Sequence, residues 1–185
     1  NVSDITAPTA SNPATINVAC YGSIPAANIS VVTDEADNCD AAPVVTLLTD
    51  IPASPVCNGG PITVSRVYRI TDCSGNSTTV TQTINVADII APIISNIPAN
   101  VSVSCASEVP APNTGAVVAS DNCSGILTVT SNDVIIPGSC ANRFTLNRTY
   151  TVSDCSGNSS TAVQVITVND QIGPVLSPPA TQILD

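Results

Sequence analysis

The sequence predicts an all-β protein, built as tandem immunoglobulin-like β-sandwich repeats of about 83 residues, each with two disulfides. Three observations carry this. Motifs recur at a near-constant spacing, apolar and polar residues alternate with a period of two, and eight cysteines are spread along a chain without histidine.

The repeat is read from its start. Asp4-Ile5-Thr6-Ala7-Pro8 recurs as Asp88-Ile89-Ile90-Ala91-Pro92, and again as Asp170-Gln171-Ile172-Gly173-Pro174. Asp37-Asn38-Cys39 recurs as Asp121-Asn122-Cys123, a shift of 84 (121 − 37). Asp72-Cys73-Ser74-Gly75-Asn76-Ser77 recurs as Asp154-Cys155-Ser156-Gly157-Asn158-Ser159, a shift of 82 (154 − 72). Arg66 and Tyr68 match Arg148 and Tyr150. The expected domains are therefore 1–87, 88–169, and the start of a third repeat over 170–185, comprising its linker and first strand. A chain ending partway into a repeat is expected to belong to a longer one.

Strands follow from the alternation. Val80, Gln82, Ile84 and Val86 take one face of a strand, and Thr79, Thr81, Thr83 and Asn85 the other. Phe144, Leu146, Arg148, Tyr150 and Val152 alternate likewise, and 100–105 and 115–120 read as further strands. Asn58-Gly59-Gly60-Pro61 and Pro137-Gly138 read as breaks. About seven short strands per repeat suit a sandwich. The apolar residues are Val, Ile, Ala and Leu, with one Phe and no Trp or Met, so the cores are thin and β-branched.

Composition narrows the function. Four Arg and no Lys stand against fourteen acids, for a net charge of −10, which argues against nucleic acid and anionic lipid as partners. No stretch is apolar enough to span a membrane. Without His or Lys, the usual bases beside a Ser or Cys nucleophile are missing, so no enzyme activity and no catalytic residue is expected. Arg66 and Arg148 are read as partners of an acid at the sandwich edge, or as stacked on Tyr68 and Tyr150. Evenly spread cysteines read as disulfides, which places the chain in an oxidising, extracytoplasmic compartment.

On these residues the chain resembles the HYR (hyalin-repeat) and HYR-like domains that occur in many copies in giant surface proteins of Bacteroidetes-type bacteria, gliding-motility adhesins among them. The carrying motifs are Asp-x-x-Ala-Pro, Asp-Asn-Cys-Ser-Gly over 121–125, and Tyr-x-Val-x-Asp-Cys-Ser-Gly-Asn over 150–158. The first repeat departs at Cys39-Asp40, where Asp-Ala replaces Ser-Gly. The resemblance implies a cell-surface stalk or adhesion module.

Four cysteines in a repeat allow three pairings. In a sandwich, the first strand should finish at the far end, where the penultimate strand begins, while the two Asp-rich loops share the linker end. The expected bonds are Cys20–Cys57 and Cys39–Cys73, then Cys105–Cys140 and Cys123–Cys155. The same arrangement gathers acids at the linker ends: Asp4, Asp37, Asn38, Asp72 and Asn76 in the first repeat, and Asp88, Asp121, Asn122, Asp154 and Asn158 in the second. One reading is a calcium site of oxygen ligands at each start. The other is that these side chains only cap their own turns.

The expected function is a disulfide-stabilised rigid spacer in a long extracellular surface fibre or adhesin, with neighbouring repeats as its partners. Two alternatives stand beside it. One is a module that binds carbohydrate or protein through sandwich-end loops, though aromatic platforms for sugars are scarce. The other is a filament subunit that contacts other copies by donating the segment 170–185 as a strand.

Overall fold

The computed structural model describes residues 3–50, 60–123, 125–173, 175 and 176. Cys57, Pro174 and the expected third-repeat segment from 177 onward lie outside the described residues.

The fold is all-β. In the first repeat β1 (Ile16–Val18), β2 (Val44–Asp50), β3 (Ile62–Thr71) and β4 (Ser77–Val86) form one sheet in the order β1-β4-β3-β2. The second repeat holds β5 (Ile93–Asn96), β6 (Val101–Val103), β7 (Val118–Ser120), β8 (Thr128–Cys140), β9 (Arg143–Ser153) and β10 (Ser159–Asn169). Its larger sheet runs β6-β10-β9-β8, while β5 pairs with β7 in a second, two-stranded sheet. Among the described residues, the first repeat reduces that second layer to a single antiparallel bridge, Thr9 with Ala36. Fewer strands than the expected seven therefore form among the described residues. The short outer segments are spaced by 3-10 turns such as Ile29–Val31 and Thr114–Ala116 instead of continuing a ladder.

The expected alternation places the cores. Val80, Gln82, Ile84 and Val86 of β4 are buried, and so are Leu146, Arg148, Tyr150 and Val152 of β9. Tyr68, Ile70, Val80 and Val32 pack together in the first repeat. Pro137 and Gly138 do not break a strand but lie within β8. That strand is an edge of its sheet, where the missing N–H of proline costs no ladder bond on its outer side.

Two features position the linker ends. β1 runs parallel to β4, with Ile16 opposite Ile84 and Val18 opposite Val86, and β6 runs parallel to β10. The first and last strands of a repeat thus point the same way, so Cys20, just past β1, emerges where β4 hands over to the next repeat. In addition, Ala87 N–H donates to the Val18 carbonyl at 3.0 Å, which ties the linker to β1. By packing, the chain divides into two compact units. The first comprises Asn1–Ile93 together with Ala119–Thr128 and Val152–Ser160; the second comprises Ile94–Val118, Val129–Thr151 and Thr161–Asp185. The two Asp-rich loops of the second repeat therefore belong to the unit that contains the whole first repeat.

Candidate functional site

Each Asp-Cys-Ser-Gly-Asn segment is a turn whose shape its residues dictate. Gly75 and Gly157 hold φ of 93° and 96°, a region that side chains avoid. Asp72 Oδ1 accepts from the backbone N–H of Ser74 and Asn76 at 2.9 and 2.8 Å, and its Oδ2 from Asn76 Nδ2 at 2.7 Å. Asp154 repeats the pattern with Ser156 and Asn158. Burial pushes both carboxyls up, but these hydrogen bonds outweigh it and hold them below the usual carboxylate range.

The amides also reach the repeat starts. Asn76 Nδ2 donates to the Asp4 carbonyl and Asn158 Nδ2 to the Asp88 carbonyl, both at 3.2 Å. Asp4, Asp37 and Asp72 each offer a carboxylate oxygen within 4.8 Å of the others. Asp88, Asp121 and the Cys123 sulfur do the same, and Asp154 lines the same cleft. So the structure brings together the acids expected at each start, three around each cup. The expected asparagine ligands act otherwise. Asn76, Asn122 and Asn158 turn their NH₂ groups toward carboxylates, with Asn122 donating to Asp88 Oδ1 at 3.1 Å, and Asn38 donates to Cys39 Sγ at 3.0 Å. An NH₂ group is a donor and cannot ligate a cation, so Asn76, Asn122 and Asn158 meet the acids as hydrogen-bond donors.

The cysteines depart from the expected pairing. Cys20 bonds to Cys123, with Cα atoms 5.3 Å apart and 103 residues between them in sequence. That bond stands where Cys20–Cys57 and Cys123–Cys155 were expected, and Cys155 is itself disulfide-bonded. The cause of the Cys20–Cys123 bond is the parallel β1–β4 pair, which delivers Cys20 to the start of the next repeat; the expected pairs consider each repeat alone. Cys155 lines the cleft beside Cys123. Cys39, Cys73, Cys105 and Cys140 are unbonded. Cys39 and Cys73 sit on neighbouring loops, and burial together with Asp4, Asp37 and Cys73 pushes the Cys39 thiol up, but no Cys39–Cys73 bond is closed. No Cys105–Cys140 bond is closed either, although Ala106 N–H donates to Asn142 Oδ1 at 3.3 Å between the two loops that carry them.

Away from the cups, the two arginines do find acids. Arg66 lies opposite Asp50 because β2 shifts register between Leu47 and Thr49, and Nε and Nη2 contact the two carboxylate oxygens at 3.0 Å. Arg148 holds Asp133 at 2.8 and 2.9 Å and the Pro110 carbonyl at 2.9 Å. Both guanidinium groups are buried. Arg148 hydrogen bonds hold the Asp133 carboxyl below its ordinary range, against a smaller upward push from burial. The sequence reading missed the part of Asp40, the residue at which the first repeat departs from its motif. Its Oδ2 accepts from Cys73 N–H at 2.9 Å and fastens the two Asp-rich loops to each other. The departure itself was the available signal, since an acid beside Cys39 offers a charged acceptor where the motif has the hydroxyl of Ser.

Among known families, the one described as HYR-like domain with 4 cysteines matches residues 8–86 and 93–168. Four of the eight cysteines fall in each matched segment, in keeping with that description. No curated protein matches the chain.

Proposed function

The chain belongs to the family of HYR-like domains with four cysteines, and from that premise we propose that its two repeats serve as a stiff spacer in a longer surface fibre or adhesin. HYR-like repeats are structural modules, typically extracellular, and no helix among the described residues is long and apolar enough to cross a membrane. The observation that carries the spacer reading is the linker. Asp88 is 7% exposed, its carbonyl accepts from Asn158, its carboxylate accepts from Asn122, and Cys20 is bonded to Cys123 beside it. A linker fixed by backbone, side-chain and covalent links within one compact unit has no slack to bend. No enzyme activity is part of this reading, since the chain has neither His nor Lys to act as a base.

A rival module would bind carbohydrate or protein directly. The chain has one Phe, three Tyr and no Trp, and Tyr68 and Tyr150 are fully buried, which leaves few aromatic faces for a sugar to stack on. A glycan array probed with the oxidised two-repeat protein tests the choice. The spacer reading expects no saturable binding; saturable binding of any glycan class overturns it as a sufficient account.

A further inference from the structure

We propose that each repeat binds one calcium ion in the acidic cup at its start, held by Asp4, Asp37 and Asp72 in the first repeat and by Asp88, Asp121 and Asp154 in the second. Turn capping explains one oxygen of each outer acid. Asp4 Oδ1 accepts from Thr6 N–H, Asp37 Oδ1 from Cys39 and Asp40 N–H, Asp88 Oδ1 from Ile90 N–H, and Asp121 Oδ2 from Cys123 N–H. Capping does not explain the other oxygen. Asp4 Oδ2, Asp37 Oδ2, Asp88 Oδ2 and Asp121 Oδ1 are all buried and have no hydrogen-bond partner. Asp88 is the sharpest case, a residue more than nine-tenths buried with a bare carboxylate oxygen. A buried, unpaired charged oxygen is strongly disfavoured unless a cation meets it. The ion pairs among the described residues lie at Arg66 and Arg148, and no basic side chain is paired with the cup acids.

The pattern recurs. Equivalent residues leave bare oxygens in both cups, although one cup sits at the first start and the other lies beside the Cys20–Cys123 bond. Ligand spacing and chemistry choose the ion. Two oxygens on one calcium, each at about 2.4 Å, lie at most about 5 Å apart. Asp4, Asp37 and Asp72 meet that limit, with ligand atoms within 4.8 Å. The donors are hard carboxylate oxygens, and the sulfurs that line the second cup, those of Cys123 and Cys155, are committed to disulfides and cannot act as thiolate ligands. Asp72 Oδ2, which accepts one hydrogen bond and keeps a lone pair, closes the first set, Asp154 lines the second cup with the same free position on Oδ2, and carbonyls or water complete each set. In the second cup the ion would fasten Asp88 of the linker to the Asp121 loop. Calcium thereby deepens the spacer reading, because it stiffens the same joint.

The test is titration calorimetry of the metal-stripped, oxidised chain with calcium, magnesium and zinc chlorides, paired with thermal unfolding in calcium and in chelator. Two calcium ions per chain are expected, with a higher unfolding midpoint in calcium. Asp37→Asn and Asp121→Asn should each reduce the count to one. Absence of binding heat with identical midpoints overturns the proposal, and so does a count unchanged in both variants. Zinc uptake in preference to calcium, abolished by Cys39→Ser, also overturns it by identifying a thiolate site. Should either variant fail to fold, the stoichiometry and midpoint shift of the unaltered chain decide alone. The glycan array is independent, so loss of the calcium site and loss of the spacer reading are distinguishable.

Discussion

The two acidic cups are built from equivalent residues and end in different surroundings. In the first, Asp4 and Asp37 are half-buried, and Cys39 and Cys73 stand exposed and unbonded on the neighbouring loops. In the second, Asp88 is buried, and Cys123 is buried and bonded to Cys20 of the repeat before it. The loops are made the same way in both, from the same Asx turns and the same asparagine clamps. The local sequence therefore builds the cup, while burial of the cup depends on what a neighbouring repeat brings to it. Asp and Asn serve the turn, and cysteine serves the joint.

The largest expected effect is on that bond. Cys123→Ser should destabilise the chain by about 4–5 kcal/mol in the chain-entropy description, because the bridge spans 103 residues. Cys39→Ser, in the other cup, should change little, because no bond is there to lose. Denaturant unfolding of both variants checks the contrast. Peptide mapping without reductant checks its premise: a linked Cys20–Cys123 peptide is expected, and a Cys20–Cys57 or Cys123–Cys155 peptide would make the two cups alike and break the comparison.

The ion pairs mark where the repeats agree. Asp50→Ala and Asp133→Ala each leave a buried guanidinium without its carboxylate, and each should cost about 3 kcal/mol. Equal costs would show that the repeats share a frame and differ mainly at the cups. The pH dependence has a definite sign at Asp133. Its folded carboxyl titrates below the ordinary value, so the pair contributes fully above about pH 4 and is lost as pH falls through the lower folded value. Unfolding midpoints that fall less steeply with acid in the Asp133→Ala variant than in the parent are the expected result; parallel curves would remove the pair from the acid response.

These features were unequally legible in sequence. The strand faces of β4 and β9 were readable because a period of two needs no partner to be seen, and the Arg–acid pairing was readable because a charge on a buried face requires one. The acids of the cups could be gathered from loop positions alone. Three things were not readable. Which atom of an asparagine faces a carboxylate is decided by local geometry, and composition carries no trace of it. The Cys20–Cys123 bond needs the direction of β1 relative to β4, and a three-residue strand such as Ile16–Val18 gives no sign of whether it pairs parallel or antiparallel. Asp50 faces Arg66 only because of an irregular register in β2, a property of the paired strands together.

The smallest effect separates the two cores. Tyr68 and Tyr150 are equivalent and both fully buried. The Tyr150 hydroxyl donates to Gln164 Oε1 and accepts from Asn113 N–H, each at 3.3 Å. Tyr68 Oη has no hydrogen-bond partner, nor does Oε1 of Gln82 on the strand beside it. Removing a paired hydroxyl forfeits its hydrogen bonds and strands their other ends, whereas removing an unpaired one forfeits none. Tyr150→Phe should therefore cost about 1 kcal/mol, and Tyr68→Phe should be neutral or slightly stabilising. Hydrogen exchange of the β3 and β9 amides reads each repeat separately, which a single unfolding curve would blend. Equal loss of protection in the two variants would mean that Tyr68 and Gln82 pair in solution as Tyr150 and Gln164 do, and the cores would then be alike, with the difference between the repeats confined to the cups.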